Sequence, residues 1–183
     1  ARQLGADLDG AVAAARQAAV LAPDEPLVPA RLSELHLMRG DTSAARRAAE
    51  EASRLGDTPL SDIVLGFADL ATYRAASAEA AFRRALERQS QDPAALLGLG
   101  LALIRQGDMR AGTMQLENAV VADPSSSLLR SYLGKAFFTE RNDRSAAKQY
   151  AIAKELDPAD PTPWFYNAIL KQLSNQPIAA LRE

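Results

Sequence analysis

Cysteine is absent from the chain, which excludes disulfides and thiolate metal sites and fits cytoplasm and periplasm alike. Histidine occurs once, as His36. No His-Glu-x-x-His pair, nucleophile elbow or Walker loop is present, so the usual signatures of metal, acyl-transfer and nucleotide chemistry are missing. An excess of charge is missing too. Lys plus Arg is 21 and Asp plus Glu is 23, a formal net charge of −2, whereas a nucleic-acid binder shows a clustered basic excess. Long apolar runs are lacking: the longest, Ala94 to Ile104, is about half of the ~20 residues that a membrane span needs. No charged segment followed by an apolar one opens the given sequence. Strand formers are scarce, with 5% aromatics.

What the chain has instead is alanine and leucine, 38 and 25 of its 183 residues. These are the strongest helix formers, and the composition predicts an all-α fold. They recur with a period. Ala11, Ala45, Ala78, Gly112, Ala146 and Ala180 are spaced by 34, 33, 34, 34 and 34. Seven positions further on, Ala18, Ala52, Ala85, Ala119 and Ala153 keep the same step. Upstream stand Leu32-Ser33, Leu65-Gly66, Leu99-Gly100 and Leu133-Gly134, with Asn167-Ala168 in the fifth place. Turn signals fall at matching phase: Gly40-Asp41, Gly107-Asp108, Asn142-Asp143 and Asn175-Gln176-Pro177. Breakers close the units, as at Ala22-Pro23, Asp123-Pro124 and Leu156-Asp157-Pro158. Each unit reads as two antiparallel helices, A and B. Small residues line their seam, and Ala15, Ala49, Phe82, Leu116 or Tyr150 stand within it.

This pattern resembles the tetratricopeptide repeat in its period, its Leu-Gly pair, its alanine seams and its terminal proline, with Trp164 at the tryptophan position. The resemblance implies a right-handed superhelical solenoid of antiparallel helix pairs. One array over 1–183 is expected: a partial repeat 1–25, whole repeats 26–58, 59–92, 93–126 and 127–160, and a partial repeat 161–183. Residues 1–4 would finish one helix and 177–183 begin another. Neither end carries the polar cap that solenoids need, so a fragment of a longer protein is expected, open to self-association through its ends or its concave face. The closing stretch, Leu156 to Tyr166, is also similar to repeats of large bacterial cell-envelope proteins, which points toward the envelope or periplasm. Departures from the pattern are Tyr73-Arg74-Ala75-Ala76 in place of a Gly-Asp turn, a displaced breaker at Asp92-Pro93, and Asp69 and Lys171 in place of large apolar residues. Looser packing is expected there.

The family's concave face is lined mainly by helix A. At its phases stand Ile63, Phe67 and Leu70, then Leu97, Leu101, Ile104 and Arg105, then Tyr132, Lys135 and Phe138, then Phe165, Tyr166 and Ile169. In relatives that clamp a C-terminal carboxylate, basic residues and asparagine occupy such places. Here Ile63, Phe67, Leu97 and Leu101 do, so that activity is not implied. An asparagine ladder is absent as well: Arg31, Val64, Gly98, Tyr132 and Tyr166 hold its positions. An apolar trough remains, and such surfaces mark interaction sites. The resemblance therefore implies a non-catalytic scaffold that binds an apolar or amphipathic peptide of a protein partner, without cofactor, nucleic acid or membrane insertion. Two alternatives stand beside it: the regulatory arm of an enzyme whose catalytic domain lies elsewhere, and a self-associating structural array in an envelope or secretion assembly. His36 reads as a packed histidine, Gly98-Leu99-Gly100 as part of the repeat and not a dinucleotide loop. Arg46, Arg47, Glu50 and Glu51 read as a solvated face. So do Arg83, Arg84 and Arg88, with an acidic partner as the alternative.

Overall fold

The computed structural model describes residues 2–173, with side chains from Leu8 onward. Ten helices and no strand lie among the described residues: α1 (Arg2–Leu21), α2 (Leu27–Met38), α3 (Thr42–Leu55), α4 (Pro59–Ala71), α5 (Ala75–Arg88), α6 (Pro93–Arg105), α7 (Met109–Ala122), α8 (Ser127–Thr139), α9 (Asp143–Leu156) and α10 (Pro161–Leu173). The helix start expected at Pro177, with Ile178, Ala179, Ala180 and Leu181, lies outside the described residues. At the other end α1 runs unbroken from Arg2, so no helix finishes at residues 1–4. Ala6-Asp7 stands there at the turn phase, and alanine favours continuing the helix where glycine would break it.

The A-to-B turns are closed the same way in all four repeats. Gly40, Tyr73, Gly107 and Arg141 have φ of 77°, 62°, 92° and 62°. The next amide reaches back in a Schellman bond: Asp41 N to His36 O at 2.9 Å, Arg74 to Asp69 at 2.8 Å, Asp108 to Leu103 at 3.0 Å and Asn142 to Phe137 at 2.9 Å. Asp41, Asp108 and Asn142 then cap the following helix through their side chains, while Arg74 has no such bond. The repeat 59–92 thus lacks glycine and a side-chain cap but not the turn. Tyr73, like Arg141, takes the left-handed backbone that glycine takes at Gly40 and Gly107, at a cost of about 1–2 kcal/mol. The starts of α4 and α6 are built for the purpose, with a Thr58–Ser61 capping box before Pro59 and Asp92 accepting from Ala95 N at 2.8 Å before Pro93.

The helices group into two compact units, Ala1–Ala102 and Leu103–Glu183. In the first, Ala45, Ala49, Ala52, Ala78 and Ala85 are fully buried on the inner faces of α3 and α5. Phe82 of α5 is buried with its ring against two glycines: a Cβ at Gly66 would meet it at 2.6 Å and one at Gly98 at 2.2 Å. Asp62 and Asp69 of α4 are also buried. Asp62 accepts from Arg84 Nε at 2.9 Å and Arg88 Nη1 at 2.7 Å, and Arg88 also pairs with Asp57. Asp69 accepts from Arg46 Nε at 3.1 Å. The site of Asp69 is therefore not loosely packed but occupied by an inter-helix ion pair. Arg46, Arg84 and Arg88 are likewise not purely solvated: each ties its helix to a buried carboxylate of α4. In the second unit Ala146, Tyr150 and Ala153 of α9 are fully buried. The Tyr150 ring lies against Gly134, where a Cβ would stand 2.5 Å from Cε1.

His36 is buried on α2 as expected, and burial holds its imidazole below the ordinary value. Its Nδ1 has no hydrogen-bond partner among the described residues and lies 4.0 Å from Asp41 Oδ2.

Candidate binding surface

In the second unit, α8 and α10 build an aromatic surface on a buried foundation. Gly134 lets α8 approach the Tyr150 ring, and Tyr166 of α10 stacks on that ring, with centroids 5.7 Å apart and planes inclined by 12°. Two further rings meet Tyr166 edge-on: Phe138 at 5.9 Å and 61°, and Phe165 at 5.4 Å and 80°. Edge-to-face and offset arrangements of this kind suit the ring quadrupoles. Lys135 Nζ stands 5.8 Å from the Tyr166 centroid, within cation–π reach. Tyr150 is fully buried, its hydroxyl without a hydrogen-bond partner among the described residues. Burial, and secondarily Tyr166, push its pKa well above the ordinary tyrosine value, so it stays a neutral platform.

The surface side of this stack is open. Phe165 is 62% exposed, Lys135 is exposed, and Phe138, Tyr166, Tyr132 and Ile169 are half-buried. Tyr132, Lys135 and Phe138 follow at three-residue steps on α8. Phe165 and Ile169 stand four apart on α10, so each helix presents its set on one face. An exposed phenylalanine beside a lysine can take an apolar side chain next to a carboxylate. Among the described residues no group of three His, Cys, Asp or Glu could hold a metal, and no helix is long and apolar enough to cross a membrane.

The first unit is different. Ile63, Leu70 and Leu97 are 7%, 6% and 6% exposed, so they fill the space between helices and do not line an open surface. Phe67 is half-buried and sets its edge on Phe82 at 5.0 Å and 74°. Leu101 is half-buried. In the last turn of α6, which belongs to the second unit, Ile104 is half-buried and Arg105 exposed. Tyr166, which phase alone places among the groove residues, is the ring that Tyr150, Phe138 and Phe165 all meet.

Residues 66–112 match the tetratricopeptide repeat family. Among curated proteins, cellulose synthase operon protein C of Komagataeibacter xylinus is 33% identical over 95 residues, which are 49% of this chain and 7% of that protein. The chain thus spans a small part of that relative. Among solved structures, a thermophilic tetratricopeptide protein of Thermus thermophilus, TTC0263, aligns with a TM-score of 0.83 at 21% identity, over 93% of this chain and 94% of that one. The Cut9–Hcn1 structure of the APC/C aligns at 0.85 and 16% identity, over 96% and 36%. YrrB, described as having an unusual peptide-binding site, aligns at 0.62 and 17% identity, over 94% and 89%. The fold is therefore the all-α helix-pair solenoid of the tetratricopeptide repeat, and proteins of this kind are generally non-catalytic protein–protein interaction scaffolds.

Proposed function

We propose that the face shared by α8 and α10 is the docking surface of a non-catalytic scaffold, and that it receives an apolar or amphipathic peptide segment of a protein partner. The observation that carries this reading is the exposed Phe165 ring, held edge-on to a Tyr166 that is itself stacked on buried Tyr150. Such an anchor is already ordered, so a partner gains its contact without ordering it first. Phe138 and Ile169 extend the apolar area, Tyr132 adds a hydroxyl, and Lys135 attracts an acidic flank. Arg105 and Ile104 supply a second cation and apolar patch at the end of α6. Of the groove-phase residues expected in the first unit, Phe67 and Leu101 keep exposed surface, while Ile63, Leu70 and Leu97 are buried. The peptide-binding site named for YrrB supports the reading as a capacity of this fold.

The test is selection of a displayed peptide library on the protein and on a Phe165→Glu, Lys135→Glu variant. Apolar peptides with acidic flanks should enrich on the former and be lost on the latter, with melting curves unchanged. Equal enrichment would place binding on another face. A second reading has one observation behind it: the likeness to the cellulose synthase operon protein favours a segment of an envelope assembly for polysaccharide synthesis, held together through such docking or by self-association. Light scattering across a concentration series separates these, since self-association raises the apparent mass and peptide docking does not.

A further inference from the structure

The repeat period relates two places where a B helix meets the next A helix. It puts Thr113 at the phase of Arg46, Glu117 at that of Glu50, Asp108 at that of Asp41 and Glu140 at that of Thr72. Between α3 and α4 the groove is filled from within. The Arg46 guanidinium lies between two carboxylates, with Nε 3.1 Å from Asp69 Oδ1 and Nη2 2.6 Å from Glu50 Oε1.

Between α7 and α8 the short Thr113 stands in the arginine's place. Its Oγ1 donates to Glu140 Oε1 at 3.0 Å. Beside it opens a concavity of about 530 Å³ lined by Asp108, Glu117 and Glu140, by the apolar Met114 and Phe137, and by Arg110. Glu117 keeps the acceptor that Glu50 offers to Arg46, and Glu140, at the C-cap of α8, supplies a carboxylate three residues beyond the position that Asp69 holds on α4. Thr113 occupies one oxygen of Glu140, and a carboxylate accepts at both. Three carboxylates outweigh the single charge of Arg110. Met114, 51% exposed, and Phe137 offer the apolar wall along which the methylene stem of a long cationic side chain lies. A planar guanidinium with several fixed donors suits two carboxylates on different helices better than an ammonium does.

We propose that the concavity between α7 and α8 receives an arginine side chain of a partner polypeptide, in the place that Arg46 fills within the chain between α3 and α4. This contact is separate from the aromatic face and does not depend on it.

The probes are three capped tripeptides, Gly-Arg-Gly, Gly-citrulline-Gly and Gly-Lys-Gly, titrated at low ionic strength while the amide resonances of residues 111–117 and 137–140 are followed by NMR. The arginine peptide should shift these resonances in a saturable way. The neutral citrulline peptide should bind at least about tenfold more weakly, the loss expected on removing a charge-assisted pair. Thr113→Arg should fill the concavity from within, abolishing peptide binding with an unchanged or raised melting temperature. A Glu117→Gln, Glu140→Gln variant should lose binding with unchanged helicity, which keeps the test open if Thr113→Arg fails to fold. Equal binding of the citrulline or lysine peptide, or retained binding by the glutamine variant, would overturn the proposal.

Discussion

Gly98→Ala would normally strengthen a helix, because alanine is about 1 kcal/mol better than glycine in a helix interior. Here the sign should reverse. The new Cβ would lie 2.2 Å from both Cε1 and Cζ of Phe82. The ring cannot retreat, since Phe82 is fully buried and Gly66 already stands where a Cβ would be 2.6 Å away on the other helix. Overpacking of this sort costs about 1–3 kcal/mol, and a ring held between two helices puts it at the upper end. Net destabilisation of about 2 kcal/mol should remain, a fall in Tm of roughly 4–8 °C for a chain of this length. Phe82→Leu places there the residue that Leu116 supplies one repeat on, and it removes the ring tip. In that background Gly98→Ala should be neutral or stabilising. Gly10→Ala in α1 is the control: no atom lies within 4 Å of its Cβ, so the propensity gain should appear unopposed. Urea midpoints of the four variants decide the matter. A midpoint raised by Gly98→Ala in the wild-type background, or no coupling to Phe82, would refute the reasoning.

Arg46→Ala should cost about 3 kcal/mol, because it leaves Asp69, 4% exposed, without its partner, whereas the exposed Arg47→Ala should be nearly neutral by chemical denaturation. The lowered pKa of His36 means that the unfolded chain takes up this proton first on acidification. Its contribution is complete above pH 6.5 and declines as pH falls below that value through the lower folded-state pKa. His36→Leu, the residue found at this phase as Leu103, should flatten the stability profile between about pH 7 and 5. Arg141→Gly removes a left-handed arginine at φ 62°. The relief of about 1–2 kcal/mol exceeds the chain entropy that glycine adds, about 0.4–1 kcal/mol, so the melting temperature should rise by a few degrees.

Helix phase was legible in the sequence because alanine, glycine and leucine at fixed spacing set which face of each helix turns inward. Depth was not. Ile63, Leu70 and Leu97 share the inner phases of their helices with Leu101, yet they are buried and Leu101 is not, since depth depends on the neighbouring helix and not on periodicity. The buried carboxylates escaped notice for a related reason. Asp62 meets Arg84 and Arg88, 22 and 26 residues away, and such a pair shows only when two helices are laid side by side. Backbone strain hid the turn at Tyr73, which does there what glycine does at Gly40, and residue type alone pointed to a missing turn. The aromatic surface was half legible. Phe138 and Phe165 stood at the expected phases, but the stack of Tyr166 on Tyr150 joins α9 to α10 and belongs to no single repeat.

The most direct measurement is the affinity of a selected apolar peptide for the wild-type protein and for Phe165→Ala. Truncating this ring removes an anchor worth about 1.5–3 kcal/mol of burial, so affinity should fall by roughly 10- to 100-fold. Phe165 is largely exposed, so the melting temperature should hold. Undiminished affinity in a normally folded Phe165→Ala protein would contradict the assignment of the α8–α10 face as the docking surface.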